Sequence, residues 1–174
     1  ATLVEKPLAP TAAAAERIAA RARAGRTTLA HSQVFLFARY LQRFSALVRE
    51  AGPLQSLEIR WGDPPGQTRH GSAVVHDPGL PVFSDVIPHV AAIVSSVAGY
   101  APAECRAARG SKSQVSAELT AGGAPLSLRL ERGAPTRERL VMARAGGREF
   151  ILDFSREPGM IDHDGRSENG DPLW

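Results

Sequence analysis

Lys6 stands in the tripeptide Glu5-Lys6-Pro7 and is one of only two lysines in a chain whose other basic residues are all arginines. An arginine keeps its proton in a protein, whereas a lysine can be tuned to exchange one. A lysine at the end of an apolar segment (Leu3-Val4) and beside a proline is therefore a candidate for proton chemistry. A second candidate lies downstream in Asp85-Val86-Ile87-Pro88-His89. Its carboxylate and imidazole are spaced i and i+4, which puts both on one face of a helix. A carboxylate beside an imidazole fixes its tautomer and raises its basicity. Each feature alone is also what a solvated surface carries; the case for a site rests on their coming together.

The elements that must position them follow from the pattern of the chain. Residues 2–5 end an apolar strand, and Thr11 caps a helix over Ala12–Ala24 that stops at Gly25. Thr27–His31 reads as a short strand. Phe37, Tyr40, Leu41, Phe44, Leu47 and Val48 recur at helical spacing across 34–51, and Gly52-Pro53 ends that helix. Leu54–Trp61 alternates as a strand, broken at 62–66. A turn-rich stretch leads to a helix over Ser84–Val97, with Pro88 placed in its first turn, where proline is tolerated. Strands are expected at 102–109, 113–120, 124–133, 136–144 and 147–154 as an antiparallel meander. The tail from Glu157 is expected to hold no packed element.

These 174 residues have room for one ordinary core or one domain and part of another. The composition, 43% apolar and 22% charged, excludes a disordered chain, and no apolar run approaches the roughly 18 residues of a membrane span. One cysteine, Cys105, leaves no internal disulfide and sets a cytoplasmic expectation. The net charge of +3 raises the question of nucleic acid. The arginines alternate with acids instead of clustering, so neither nucleic acid nor membrane is expected as a partner.

The joint arrangement of strand, Glu-Lys-Pro, helix, strand, amphipathic helix, strand, D-x-x-x-H helix and strands resembles the Gfo/Idh/MocA oxidoreductases, the group of glucose–fructose oxidoreductase and inositol dehydrogenase. VEKPLAPTAAAAERIAARARAG is similar to the segment joining that family's nucleotide-binding domain to its second domain. FARYLQRFSALVREAGPLQSLEIRW is similar to its first helix–strand unit, and FSDVIPHVAAIVSSVAG to its active-site helix. The resemblance implies an α+β chain: residues 1–31 as the end of a Rossmann-like domain, and 32–174 as a substrate and oligomerisation domain with an open, mixed, largely antiparallel sheet. It implies hydride transfer between NAD or NADP and a carbinol or carbonyl carbon of a sugar, cyclitol or other small metabolite. Lys6 would polarise the substrate oxygen, His89 would be the general acid/base and Asp85 would orient His89. Glu5, Lys6 and Pro7 would meet the cofactor, and His31 and Gln33 the substrate. No G-x-G-x-x-G turn occurs to cradle a pyrophosphate. The cofactor is therefore expected to be held mainly by a segment absent from this chain, about a hundred residues preceding Glu5. The resemblance also implies a homo-oligomer formed through the open sheet face.

The alternative is a stand-alone, non-catalytic domain for association or small-molecule binding. Other residues read blandly. His31 follows a strand and is a packed or solvated histidine unless it lines the cleft. His70, His76 and His163 have no metal-ligand spacing, so no zinc or other metal site is expected. Trp61 and Trp174 are read as packing residues and Cys105 as a small buried apolar residue.

Overall fold

The computed structural model describes residues 1–69, 72–73, 77, 79–99, 103–156 and 158–171. It opens with β1 (Thr2–Val4), α1 (Ala12–Ala24) and β2 (Leu29–His31), the two strands pairing in parallel as a small sheet of their own. Thr11 Oγ1 accepts from the Ala14 amide at 3.3 Å, the capping bond expected of that residue type. No residue of α1 is buried.

The helix expected over 34–51 divides in two. A 3-10 turn (Val34–Phe37) comes first, Ala38 is extended (φ −71°, ψ 117°), and α2 runs from Arg39 to Ala51. The break lets Phe35 turn inward while Tyr40, Leu41, Phe44, Leu47 and Val48 keep the buried stripe. β3 (Leu54–Asp63) continues two residues beyond its expected end. Short strands β4 (Thr68–Arg69) and β5 (Ser72–Ala73) follow, then α3 (Val82–Ala98). Because α3 begins two residues early, Pro88 sits in its second turn, where its missing N–H leaves out one helical bond.

The remaining strands are β6 (Ala103–Gly110), β7 (Gln114–Ala121), β8 (Ala124–Arg132), β9 (Glu138–Ala145), β10 (Arg148–Asp153), β11 (Met160–His163) and β12 (Arg166–Asn169). The last two correct the expectation of a tail without structure. Asp164-Gly165 forms a two-residue turn with φ of 50° and 69°, the Asp-Gly signal of a tight hairpin.

Eight strands form one open mixed sheet in the order β12-β11-β10-β9-β3-β8-β7-β6. The expected meander is interrupted: β3 inserts between β8, which it pairs in parallel, and β9, which it pairs antiparallel. Central strands alternate, with Leu57, Ile59 and Trp61 of β3, Leu126, Leu128 and Leu130 of β8, and Val141 and Ala143 of β9 facing α2 and α3. That layer between one sheet face and two helices is the core. The edge strand β6 is exposed along its described length, and Cys105 with it, contrary to the buried position expected.

Candidate functional site

The C-terminal ends of the parallel pair β3 and β8 meet the start of α3, the position where open sheets with parallel strands commonly bind ligands. Three backbone bonds fix the corner. Val82 N–H donates to the Lys112 carbonyl at 2.8 Å, Arg132 N–H to the Ser113 carbonyl at 2.7 Å, and Gly133 N–H to the Asp63 carbonyl at 2.7 Å. Helix start, β6–β7 turn and strand ends are thereby held together.

Lys6 reaches into this corner from the end of β1, following which the Lys6–Pro7 peptide is cis. Its Nζ donates to Asp85 Oδ1 at 2.7 Å and to the Asp85 carbonyl at 2.9 Å, across 79 residues of sequence. The other carboxylate oxygen, Oδ2, accepts from Arg132 Nη2 at 3.3 Å, and Arg132 Nη1 donates to the Leu80 carbonyl at 2.8 Å. Lys6 and Asp85 keep side-chain exposures of 23% and 27%, so the cluster is open to a ligand. Two cations on one carboxylate leave a net positive charge, and the bonds described use two of the three ammonium protons. The arrangement suits an oxygen that gains negative charge.

His89 lies one helical turn after Asp85. Its imidazole stacks on the Trp61 indole (centroids 5.4 Å, planes 11° apart) and meets the edge of Phe35 at 4.9 Å. Trp61 is itself held from below. Its Nε1 donates to Asp63 Oδ2 at 3.0 Å, and the Arg139 guanidinium lies over its ring, Cζ 3.7 Å from the centroid. Arg139 pairs with Asp63 Oδ1 and donates to the carbonyls of Gly62 at 2.6 Å and Glu138 at 2.7 Å. Burial pushes the Asp63 carboxyl up, but the Arg139 charge and hydrogen bonds from Arg139, Gln67 and Trp61 outweigh it and hold the group below the ordinary carboxylate value.

No protein-family model matches the sequence, and no curated protein matches it. Solved structures do match. Among them is a 3-ketoreductase from Actinomadura kijaniata in complex with NADP and TDP-benzene, 19% identical with a TM-score of 0.74 over 95% of this chain and 55% of that one. A D-galactose-1-dehydrogenase from Rhizobium etli is 16% identical with a TM-score of 0.71, over 96% of this chain and 57% of that one. A dehydrogenase from Clostridium difficile is 15% identical with a TM-score of 0.64, over 95% and 53%. The fold is that of the C-terminal part of Gfo/Idh/MocA-type oxidoreductases. The chain spans about half the length of these Gfo/Idh/MocA-type neighbours, and at these identities the likeness is one of fold.

Within this Gfo/Idh/MocA-type fold, the structure brings Lys6 and Asp85 into direct contact and puts His89 beside them on the same helix. The Asp85 carboxylate is held by the two cations, and the His89 imidazole lies against the two rings. Glu5 and Pro7 flank Lys6 and are exposed. His31 pairs with Val4 in the β1–β2 register; its Nδ1 lies 3.3 Å from Gln33 Nε2, and its buried Nε2 has no partner among the described residues. His163 stacks on Phe150, away from this corner, and among the described residues no cluster of His, Cys, Asp or Glu could hold a metal. His70, His76 and Trp174 lie outside the described residues.

Sequence reasoning missed Arg132, Asp63 and Arg139. Arg132 and Asp63 share a register position at the end of the parallel pair, and Arg139 stands directly opposite Trp61 across the antiparallel pair. Both placements depend on β3 lying between β8 and β9, which no local pattern announces. The Trp61-x-Asp63 spacing at a strand end was the one available signal.

Proposed function

We propose that this chain is the substrate-side part of an NAD(P)-dependent oxidoreductase acting on a carbinol or carbonyl carbon of a small polyhydroxylated metabolite. The observation that carries the reading is the bond from Lys6 to Asp85, which joins the Glu-Lys-Pro segment to the helix that presents His89. When bound, the nicotinamide supplies or accepts the hydride. Lys6 donates its remaining N–H to the substrate oxygen and stabilises the charge that builds there. His89 takes the hydroxyl proton in the oxidative direction and returns it in the reductive one. Asp85 and Arg132 keep the ammonium aimed, and Asp85 orients the imidazole one turn away. His31 and Gln33 line the substrate side; the buried Nε2 of His31, which has no partner among the described residues, is the kind of polar atom a substrate hydroxyl would satisfy.

The donor set fits the nicotinamide end of a cofactor, with Glu5, Lys6 and Pro7 as its contacts. The pyrophosphate end needs a Gly-rich turn that this sequence lacks. Strands pairing with β1 and β2 would supply it, and α1, with no buried residue, is the helix such a sheet would cover.

The test is a panel of aldoses, ketoses and cyclitols followed by nicotinamide absorbance with the full-length gene product. Turnover should fall steeply in Lys6→Ala and His89→Gln while the fold persists. Undiminished turnover in both removes them from the mechanism.

A second reading, association through the sheet, is favoured by the face opposite α2 and α3. It carries a groove of about 430 Å³ lined by Arg109, Ser116, Glu118 and Ser127. Its outward pairs, such as Arg60–Glu58 and Arg129–Glu131, make it polar, so a homo-oligomer there would be ion-paired and salt-sensitive. Light scattering against concentration and salt tests it. A single cysteine fits a cytoplasmic setting, and among the described residues no helix is long and apolar enough to cross a membrane.

A further inference from the structure

Beneath the proposed base lies a buried charged assembly to which the mechanism gives no role. Arg139 and Asp63 are 5% and 7% exposed, on the sheet face that is otherwise the apolar core. A buried ion pair is seldom more stabilising than a packed hydrophobic pair of the same volume, so its stability alone is a poor account of its presence. Its geometry suggests another. The Asp63 carboxylate holds the edge of Trp61 through the indole N–H, and the Arg139 guanidinium covers its ring. The cross-strand register that sets Arg139 opposite Trp61 fixes this contact, and the carbonyls of Gly62 and Glu138 fix the guanidinium in turn. With edge and ring both held, the indole has one orientation to offer the imidazole that stacks on it.

We propose that Asp63 and Arg139 are positioning residues: they clamp Trp61 so that its ring sets the plane of the His89 imidazole, with Arg139 favouring the neutral, proton-accepting form and Asp63 opposing it. A ring whose π density is already engaged by one cation gives less to a second, so an imidazolium gains less from this stack than from a free indole. The inference rests on the reading of His89 as the acid/base. Among the described residues, the other charges near His89 include Asp85 on its own helix, with Lys6 and Arg132 acting through that carboxylate. Of the elements packed on α3, the 3-10 turn presents Phe35, β7 presents Val115 and Ala117, β8 presents Leu128 and Leu130, and α2 sends Arg49 to the Ser96 carbonyl.

The clamp has two opposite charges, so its two halves should move His89 in opposite directions, which a merely structural role would not do. The experiment is a pH titration of Trp61 emission in the 174-residue chain in a Trp174→Phe background, where Trp61 is the only indole. A protonated imidazole stacked on an indole quenches it, so the emission should step with pH, and His89→Gln should abolish the step. Arg139→Met should raise the midpoint by about half a pH unit, threefold in proton affinity. Asp63→Asn should lower it, and Arg139→Lys should return it toward that of the parent. Equal midpoints, shifts of the same sign, or the lack of a His89-dependent step overturn the proposal. Near-UV circular dichroism checks folding. If Arg139→Met does not fold, Asp63→Asn decides: a lower midpoint supports the clamp and an unchanged one refutes it. No cofactor or substrate is needed, so a failed turnover assay would sink the oxidoreductase reading and leave this result standing.

Discussion

Two carboxylates in this molecule each hold a cation, and they do so in opposite surroundings. Asp85 joins Lys6 and Arg132 at a corner where the lysine and the aspartate remain about a quarter exposed. Asp63 joins Arg139 beneath Trp61, with side-chain exposures of 10% and 6%. The first pair is assembled from three remote segments that happen to converge; the second is built into adjacent strands of one sheet. An exposed pair gives little stability and can exchange partners with a ligand. A buried pair, once half of it is removed, leaves an uncompensated charge in the core. The front cluster therefore has the properties of a site and the rear one those of its support.

The largest effect expected from this contrast is on stability. Arg139→Ala should cost about 3–5 kcal/mol in denaturant unfolding, while Lys6→Ala should cost under about 1 kcal/mol. Comparable losses would erase the distinction between site and support. Next comes turnover: Lys6→Ala should lower kcat/KM of the full-length gene product about 100-fold or more, with the melting temperature nearly unchanged.

A smaller effect sharpens the comparison through pH. Burial raises the Asp63 carboxyl, but Arg139 and the hydrogen bonds to Arg139, Gln67 and Trp61 bring it below its ordinary 3.8. A depressed carboxyl contributes stability that is present above its unfolded value and lost as pH falls through its folded value. Acid unfolding of the parent chain should therefore include a component below the ordinary carboxylate range that Asp63→Asn lacks. The smallest effect is at the surface pair Arg43–Glu168, which ties α2 to β12. Arg43→Ala should change stability by no more than about 1 kcal/mol. A larger loss would mean that exposure is a poor guide to which pairs matter here.

Local signals carried much of this into the sequence. The cap at Thr11, the stripe of α2 and the strands β7 to β10 are decided by nearby residues along the chain, and they were readable there. The open, mixed, largely antiparallel sheet was also expected. Its strand order was not, because the choice of β3 as the strand between β8 and β9 depends on packing under α2 and α3, not on turn chemistry. That single insertion creates the places of Arg132, Asp63 and Arg139, which is why all three escaped notice. The β11–β12 hairpin was missed for a different reason: Asp164-Gly165 is a tight-turn signal, but its short flanking strands are mostly polar and lack the alternation that marks a buried edge. Lys6, Asp85 and His89 were singled out because their side chains are rare or suitably spaced, and their convergence at the start of α3 is a property of the tertiary structure.

We propose that this corner serves a nicotinamide-dependent reaction. The most direct test is titration of the full-length gene product with NADH and NADPH, followed by the emission of the reduced nicotinamide. Saturable binding of at least one of the two is expected, with emission altered by the Trp61–His89 corner and restored toward the free value in Lys6→Ala. Binding of neither would contradict it.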